Sequence, residues 1–335
     1  MPSHCGWPPR DRQPRLLRQD SLGDDWRAVA AIHYGVSGAH CEFRDHHSRH
    51  YFLRAAGQGC LVLSKVRKDS SRPPFELQFN VLFELRGRGV DSVRPPIRTR
   101  GGDCYVIDED HFWFMRRFNH HEPVQFWACS ALAGASARAL AKIHLAMDEP
   151  GMCTPYFEPD LLAPYHRSAR GFVRSLGELF DAFDDAGLEP SDRRLLAVSV
   201  EALMDEADLV LGRSDGLYGM THHDYRPENL LVRNGRIVEI IDWDRAYDDH
   251  QLYDVAYGAL QFGGRQGLWG SAMLSLAVQF VDDYLDARSR PDLRDDVLGW
   301  WLRFVVVKRL LLKSTHTAER INLLRRLSDE PALIG

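Results

Sequence analysis

The chain has 335 residues, 44% apolar and 27% charged, with a formal net charge of −5 from 42 basic and 47 acidic side chains. That length is too great for one small core and argues for two domains. The mildly acidic balance argues against a surface that coats nucleic acid. Cysteines at 5, 41, 60, 104, 129 and 153 show neither a zinc spacing nor a disulfide framework, which suits a reducing cytoplasm. No run nears the roughly 20 apolar residues of a membrane span, and the opening MPSHCGWPPRDRQPRLLRQD has charge without an apolar signal core. The expectation is a cytoplasmic protein, monomer or homodimer, that binds neither nucleic acid nor membrane.

Residues 1–22 are rich in Pro and Arg and read as a disordered tail. GDDWRAVAAIHYGV predicts a short helix, with Asp24 or Asp25 at its start and Gly35 at its end. HCEFRD, HYFLRAAG and GCLVLSKVR predict three strands separated by turn residues. A helix follows in PPFELQFNVLFELRGRG, where Leu77, Val81, Leu82 and Leu85 recur at helical spacing. DCYVIDEDHFWFMRRF returns to strand character around a DED turn. After Phe118 the texture changes to an Ala-rich helix, FWACSALAGASARALAKIHLAM, and further helices at about 167–185, 190–210, 268–287 and 295–327. In that half the hairpin NLLVRNGRIVEIID is the only strand-like piece, and its RNG turn suits residues with φ > 0. The class is therefore α+β, with a β-rich part at 23–118 and a mostly helical part at 119–335.

The stretch THHDYRPENLLVRNGRIVEIIDWD, residues 221–244, carries the chemistry. Asp224 and Asn229 share a loop, and Asp242 ends the hairpin, so three oxygen ligands can meet at one edge. Phosphoryl transfer needs one carboxylate to orient the acceptor hydroxyl, with an amide and a second carboxylate to hold Mg²⁺ against the phosphates. The bland alternative is a polar hairpin, since an HD pair is commonly turn chemistry and IDWD commonly a strand end with a buried Trp.

HHDYRPENLLV…IIDWD resembles the H-x-D-x-x-x-x-N…[IV]-D-[WF]-[DE] core of the aminoglycoside phosphotransferase and choline kinase-like superfamily. ALAKIHLAM, YDVAYG and FELQFNVLFELRGRGVDSVRPPIRTRGGDCYV extend the likeness over roughly residues 24–262. The resemblance implies a bilobal protein-kinase-like fold, with a nucleotide-binding N-lobe and a C-lobe that carries catalysis and the acceptor. It implies Asp224 as catalytic base, Asn229 and Asp242 as Mg²⁺ ligands, His222 as a structural residue and Asp254 as a brace for the catalytic loop. Lys65, with Leu63 two residues earlier, would reach the α/β-phosphates of ATP or GTP. Glu76 would pair with Lys65, with Gln78 as the alternative. Ser48, in RDHHSRH, would hold a phosphate, and the backbone at Met115–Arg117 would bond the base. His46, His47 and His50 raise a transition-metal site that no Cys or carboxylate pattern completes.

His223 stands where the superfamily usually has Gly, which puts an imidazole near the acceptor. Arg226 is a candidate phosphate or acceptor contact, and Asp244 a candidate helper through metal-bound water. Acidic groups in DAFDDAGLEPSD and VDDYLDARSRPD suit either a cationic acceptor or a solvated face. The leading expectation is an O-phosphotransferase acting on a small hydroxylated molecule such as an antibiotic, sugar, nucleoside or amino alcohol. A kinase acting on Ser/Thr of a peptide is the alternative. A silent pseudokinase that binds a partner is a third reading, against which the retention of Lys65, Asp224, Asn229 and Asp242 argues. A metal-dependent hydrolase using HHD lacks the other ligands.

Overall fold

The computed structural model describes residues 25–37, 40–44, 48–55, 59–67, 75–108, 111–119, 121, 129–148, 167–183, 187–263, 271–312 and 317–329. Contacts divide the chain into two compact units. One holds residues 1–70, 79–123 and 231–240, and the other residues 71–78, 124–230 and 241–335.

In the first unit, helix α1 (Asp25–Tyr34) precedes strands β1 (His40–Arg44), β2 (Ser48–Ala55) and β3 (Gly59–Arg67). Helix α2 (Phe75–Gly87), which belongs to this unit from Phe79 onward, then β4 (Val106–Asp108) and β5 (His111–Arg117), follow. The five strands form an antiparallel sheet in the order β1-β2-β3-β5-β4. Alternation along β3 sends Leu61 and Leu63 into the core beside Leu53, Trp113 and Met115. Tyr51 stacks between Trp26 and Trp113, with ring centroids 5.4 and 5.9 Å apart. The hairpin β7 (Leu230–Arg233) and β8 (Arg236–Ile240) turns through Asn234 and Gly235, both at positive φ. This is the turn that NG favours. Its far end joins this unit, where the Ile240 N–H donates to the Ser92 carbonyl at 2.7 Å.

The second unit is mostly helical. It contains α3 (Cys129–Asp148), α4 (Ala169–Arg174), α5 (Leu176–Asp181), α6 (Pro190–Arg213), α7 (Leu252–Gly263) and α8 (Ser271–Ala287). α9 (Arg294–Asp296) runs through a π-helical turn (Val297–Trp301) into α10 (Leu302–Leu312), and α11 (Thr317–Asp329) follows. The helix expected at 167–185 is thus two short ones, because Ser175 interrupts it by bonding back to the Phe172 carbonyl at 3.0 Å. The long helix expected at 295–327 carries a π-helical turn at Val297–Trp301, and residues 313–316 within it lie outside the described residues. The hairpin is also not the only strand pairing in this half of the chain. β6 (Tyr218–Thr221) pairs antiparallel with β9 (Tyr247–His250), and this clamp fixes both ends of the segment that carries Asp224, Asn229 and Asp242. Among the described residues, no helix is long and apolar enough to cross a membrane.

Candidate active site

β6 ends at Thr221, and the chain then turns through His222, His223 and Asp224, all buried. Asp254, fully buried in the first turn of α7, sits beneath this turn. Its Oδ2 accepts the His222 N–H at 2.5 Å, and its Oδ1 accepts the His223 N–H at 2.8 Å. His144 of α3 approaches the same carboxylate at 3.4 Å through Nε2, while its Nδ1 lies 2.8 Å from the Tyr284 hydroxyl. A carboxylate only accepts, so the His144 proton sits on Nε2 and the Tyr284 O–H donates to Nδ1. Burial pushes His144 below the ordinary histidine range, with Asp254 opposing, so the imidazole is neutral at pH 7. Burial alone would raise Asp254, but the hydrogen bond from His144 and the nearby imidazoles outweigh it and hold the carboxyl below its usual range.

His222 closes the next link. Its Nδ1 accepts the Asp224 N–H at 3.3 Å, and its Nε2 donates to the Ile241 carbonyl at 3.0 Å, one residue before Asp242. The Ile241 N–H in turn donates to the Asn229 carbonyl at 2.9 Å. The three segments that bear Asp224, Asn229 and Asp242 are therefore tied edge to edge. Asn229 Nδ2 donates to the Asp224 carbonyl (2.8 Å) and to Asp224 Oδ2 (3.3 Å). This turns the amide oxygen, the atom a hard cation would take, away from the carboxylate. Asp242 is exposed and adopts a φ of 67°, a conformation that non-glycine residues rarely hold without surrounding restraint. An amide oxygen and an exposed carboxylate on adjacent segments fit Mg²⁺, which keeps waters and phosphate oxygens as its other ligands. Among the described residues, no group of three His, Cys, Asp or Glu gathers as a metal site.

Asp224 is 2% exposed and heavily partnered. Tyr257 of α7 donates to its Oδ1 at 2.8 Å, and Arg245 Nη1 lies 3.9 Å from the same oxygen. Arg226 Nε lies 3.4 Å from Oδ2. Arg309 of α10 donates to the Tyr257 hydroxyl and lies 4.7 Å over that ring. Burial would raise the carboxyl, but Arg226, Arg245 and the Tyr257 bond together hold it below the usual aspartate range. Sequence reading found Arg226 and missed Tyr257, Arg245 and Arg309. Asp244 is half-buried.

In the first unit, Lys65 pairs across the sheet with Trp113, and its ammonium lies 4.5 Å over that ring. Gln78 is buried on α2. Glu76 and Ser48 fall on α2 and β2, but their side chains lie outside the described residues, as do His46 and His47. His50 Nδ1 lies 2.9 Å from the Ser64 hydroxyl. The Met115 carbonyl, offered above to the base, already accepts the Ile97 N–H at 2.7 Å, and Arg117 pairs with Leu61 within the sheet.

Residues 42–295 match the model of the APH group, the phosphotransferase enzyme family. The chain belongs to that family. Among solved structures it is similar to amicoumacin kinase in complex with AMP-PNP, Ca²⁺ and Ami, at 15% identity and a TM-score of 0.58 over 90% of each chain. Spectinomycin phosphotransferase with ADP and spectinomycin matches at 14% identity and a TM-score of 0.56, over 94% of this chain and 97% of that one. A choline/ethanolamine kinase family protein from Mesorhizobium loti matches at 14% identity and a TM-score of 0.57, over 92% and 96%. These likenesses establish the kinase-like α+β fold, with its N-terminal antiparallel sheet and helical C-terminal region. Among curated proteins, none matches this chain.

His223 departs from the family pattern, and its geometry explains how. Its φ is 59°, the left-handed region where glycine is at ease. The ring compensates by stacking on Tyr247 at 3.9 Å and lying 4.5 Å from Tyr253. Nε2 comes within 3.2 Å of Asp249 Oδ2, and Nδ1 within 3.2 Å of the Tyr247 hydroxyl. Packed inward in this way, the imidazole is buried and its two ring nitrogens face groups of the fold itself. His223→Gly relieves about 1 kcal/mol of backbone strain. It empties a packed aromatic slot at a cost of roughly 3 kcal/mol. A net loss of about 2 kcal/mol is expected in urea unfolding, and an equal or higher midpoint would refute this account.

Asp249 also accepts the Ala169 N–H at 3.0 Å and the His250 N–H at 2.8 Å. Nearby, Lys308 of α10 is 2% exposed. Its ammonium donates to the Arg167 carbonyl at 3.0 Å and lies 4.9 Å over Tyr253 and 5.1 Å over Phe172. Burial pushes it down from 10.5 to about 8, with Asp249 opposing and Arg309 adding to the drop. Between those pH values the unfolded chain holds more protons than the folded one, so stability rises as pH climbs from about 8 to 10.5. The charged form costs roughly 3 kcal/mol at lower pH. Lys308→Met is expected to remove that rise from a series of urea unfolding curves between neutral and alkaline pH. Parallel pH profiles for the two proteins would contradict it.

Proposed function

We propose that this protein transfers the γ-phosphoryl group of ATP, or GTP, to a hydroxyl of a small molecule, in the presence of Mg²⁺. The observation that carries this reading is the tying of Asp224, Asn229 and Asp242 through His222 and the Ile241 backbone. Asn229 and Asp242 would hold the metal, which when bound neutralises phosphate charge. Asp224 orients the acceptor hydroxyl toward phosphorus. As the acceptor O–P bond forms and the bond to the bridging oxygen breaks, the hydroxyl proton passes to the Asp224 carboxylate and the nucleoside diphosphate leaves. Arg226, on the Oδ2 side with Asn229, is placed to meet charge on the transferred group. Lys65 is assigned to the α/β-phosphates by the family resemblance alone.

The relatives bear on the acceptor class. Those just described are named for a small-molecule antibiotic they phosphorylate or for choline and ethanolamine, and this supports a small molecule over a peptide. The test is a mass-spectrometric screen for the gain of one phosphate across candidate acceptors, run with Mg²⁺ and ATP. Transfer should vanish in Asp242→Ala, and undiminished transfer in that variant would sink the proposal.

A further inference from the structure

Four acids of the runs that suggested a cationic acceptor are paired with arginines. Asp282 pairs with Arg294 at 2.8 Å, Asp283 with Arg138 at 2.7 Å, and Asp292 with Arg290 at 3.0 Å, while Asp192 pairs with Arg325. At the reaction centre the balance is reversed. Three guanidinium groups from three separate segments, Arg226, Arg245 and Arg309, converge on the single Asp224–Tyr257 pair.

The two edges of the Asp224 carboxylate differ. Oδ2 faces Asn229 and Arg226, so it is the edge toward the metal ligands, and Arg226 also lies in the field of Glu228 and Asp242. Oδ1 faces Tyr257 and Arg245, with Arg309 behind the Tyr257 hydroxyl. An acceptor hydroxyl that reaches Asp224 from the Oδ1 edge arrives beside Arg245 and Arg309. Both side chains are half-buried rather than sealed, so each presents some surface to a ligand. Three guanidinium groups gathered about one carboxylate bring more positive charge than that carboxylate neutralises, an excess that an anion bound beside them offsets.

Building on the phosphotransferase reading above, we propose that the acceptor carries an anionic group, a phosphate or a carboxylate, near the hydroxyl it presents. Arg245 and Arg309 form its subsite on the Oδ1 side of Asp224. An amino sugar would meet like charge at this edge. A hydroxy acid or a polyol phosphate would meet guanidinium donors that match its oxygens.

Calorimetric titration of the full chain tests this. Mg-AMP-PNP is added first. The loaded protein is then titrated separately with glycerol 3-phosphate, D-glycerate, glycerol and ethanolamine. Binding of one or both anions, and weak or no binding of glycerol and ethanolamine, is expected. The phosphate and carboxylate arms show which anion the subsite prefers. Arg245→Met and Arg309→Lys, each checked for an unchanged melting profile, should weaken anion binding at least tenfold while AMP-PNP affinity moves less than threefold. The proposal is overturned if the nucleotide-loaded protein binds neither anion, or prefers ethanolamine or glycerol. It is also overturned if the variants lose nucleotide and anion affinity together, since the arginines would then serve the donor. A wild-type chain that binds no Mg-AMP-PNP removes the phosphotransferase reading itself, and this inference with it.

Discussion

Asp224→Asn is expected to lower kcat by about 10²–10⁴, with the affinity for Mg-ATP changed little. The Asn side chain is isosteric, and its amide oxygen can still accept from Tyr257, so the loop geometry survives. What is lost is the charge that, in the mechanism proposed above, orients the acceptor hydroxyl and receives its proton. Asp224 is held ionised: burial favours the neutral acid, but Arg226, Arg245 and the Tyr257 hydrogen bond outweigh that. A carboxylate with a depressed pKa is a weak base, which suits a loose transition state in which the hydroxyl proton departs late. Because the ionised form persists below the ordinary aspartate pKa, activity should show no acid limb from this group above that range. Steady-state kcat and KM with any acceptor found by the phosphate-gain screen measure the effect. Wild-type turnover in Asp224→Asn would remove Asp224 from the mechanism.

The parts of this site that were legible in the sequence are those set by local rules. The Asn234–Gly235 turn, the strands around it and the polar residues at their ends follow from short-range chemistry, so Asp224, Asn229 and Asp242 could be read from spacing. The β6–β9 clamp was not legible, because YGMT and YDDH are four-residue strands with mixed polarity. Their pairing joins positions about 30 residues apart, so no local pattern announces it, and the Thr221 hydroxyl seals the end by donating to the Tyr247 carbonyl at 2.7 Å. The π-helical turn before α10 was hidden for the opposite reason. VLGWW is apolar on nearly every side and buried, so it offers no periodicity to lose, and the Trp300 indole donates to the Leu203 carbonyl at 3.2 Å across the interior. Tyr257 comes to Asp224 from α7 and Arg309 reaches Tyr257 from α10, while Arg245 stands just past the IIDWD stretch, and no motif spacing links the three. Lys308 shows a weaker form of the same difficulty. A lone lysine in LRFVVVKRLLL reads as a solvent-facing residue, whereas the fold buries it among aromatic faces.

Asp254→Ala is expected to be the most destabilising single change at the site, costing about 3–5 kcal/mol. The carboxylate is fully buried and takes three donors: the N–H groups of His222 and His223, and Nε2 of His144. Ala leaves all three buried and unsatisfied, each at roughly 1–3 kcal/mol, with sub-additive effects because the loop can relax. Asn is little better, since its NH₂ must face one of the two N–H donors. The depressed pKa gives the loss a pH signature. Stability contributed by Asp254 is present above the ordinary aspartate value and disappears as pH falls through the lower folded-state value. Acid unfolding of Asp254→Ala should therefore be shallower than that of the wild type. Urea unfolding at several pH values, followed by circular dichroism, measures both the offset and the slope. Activity separates this role from that of Asp224. Asp254→Ala should lose turnover even at temperatures where it remains folded, because His222 and His223 no longer hold Asp224 in place. Asp224→Asn should lose turnover with its unfolding midpoint preserved. If Asp254→Ala unfolds like the wild type and still turns over, the catalytic loop is braced by something other than this carboxylate.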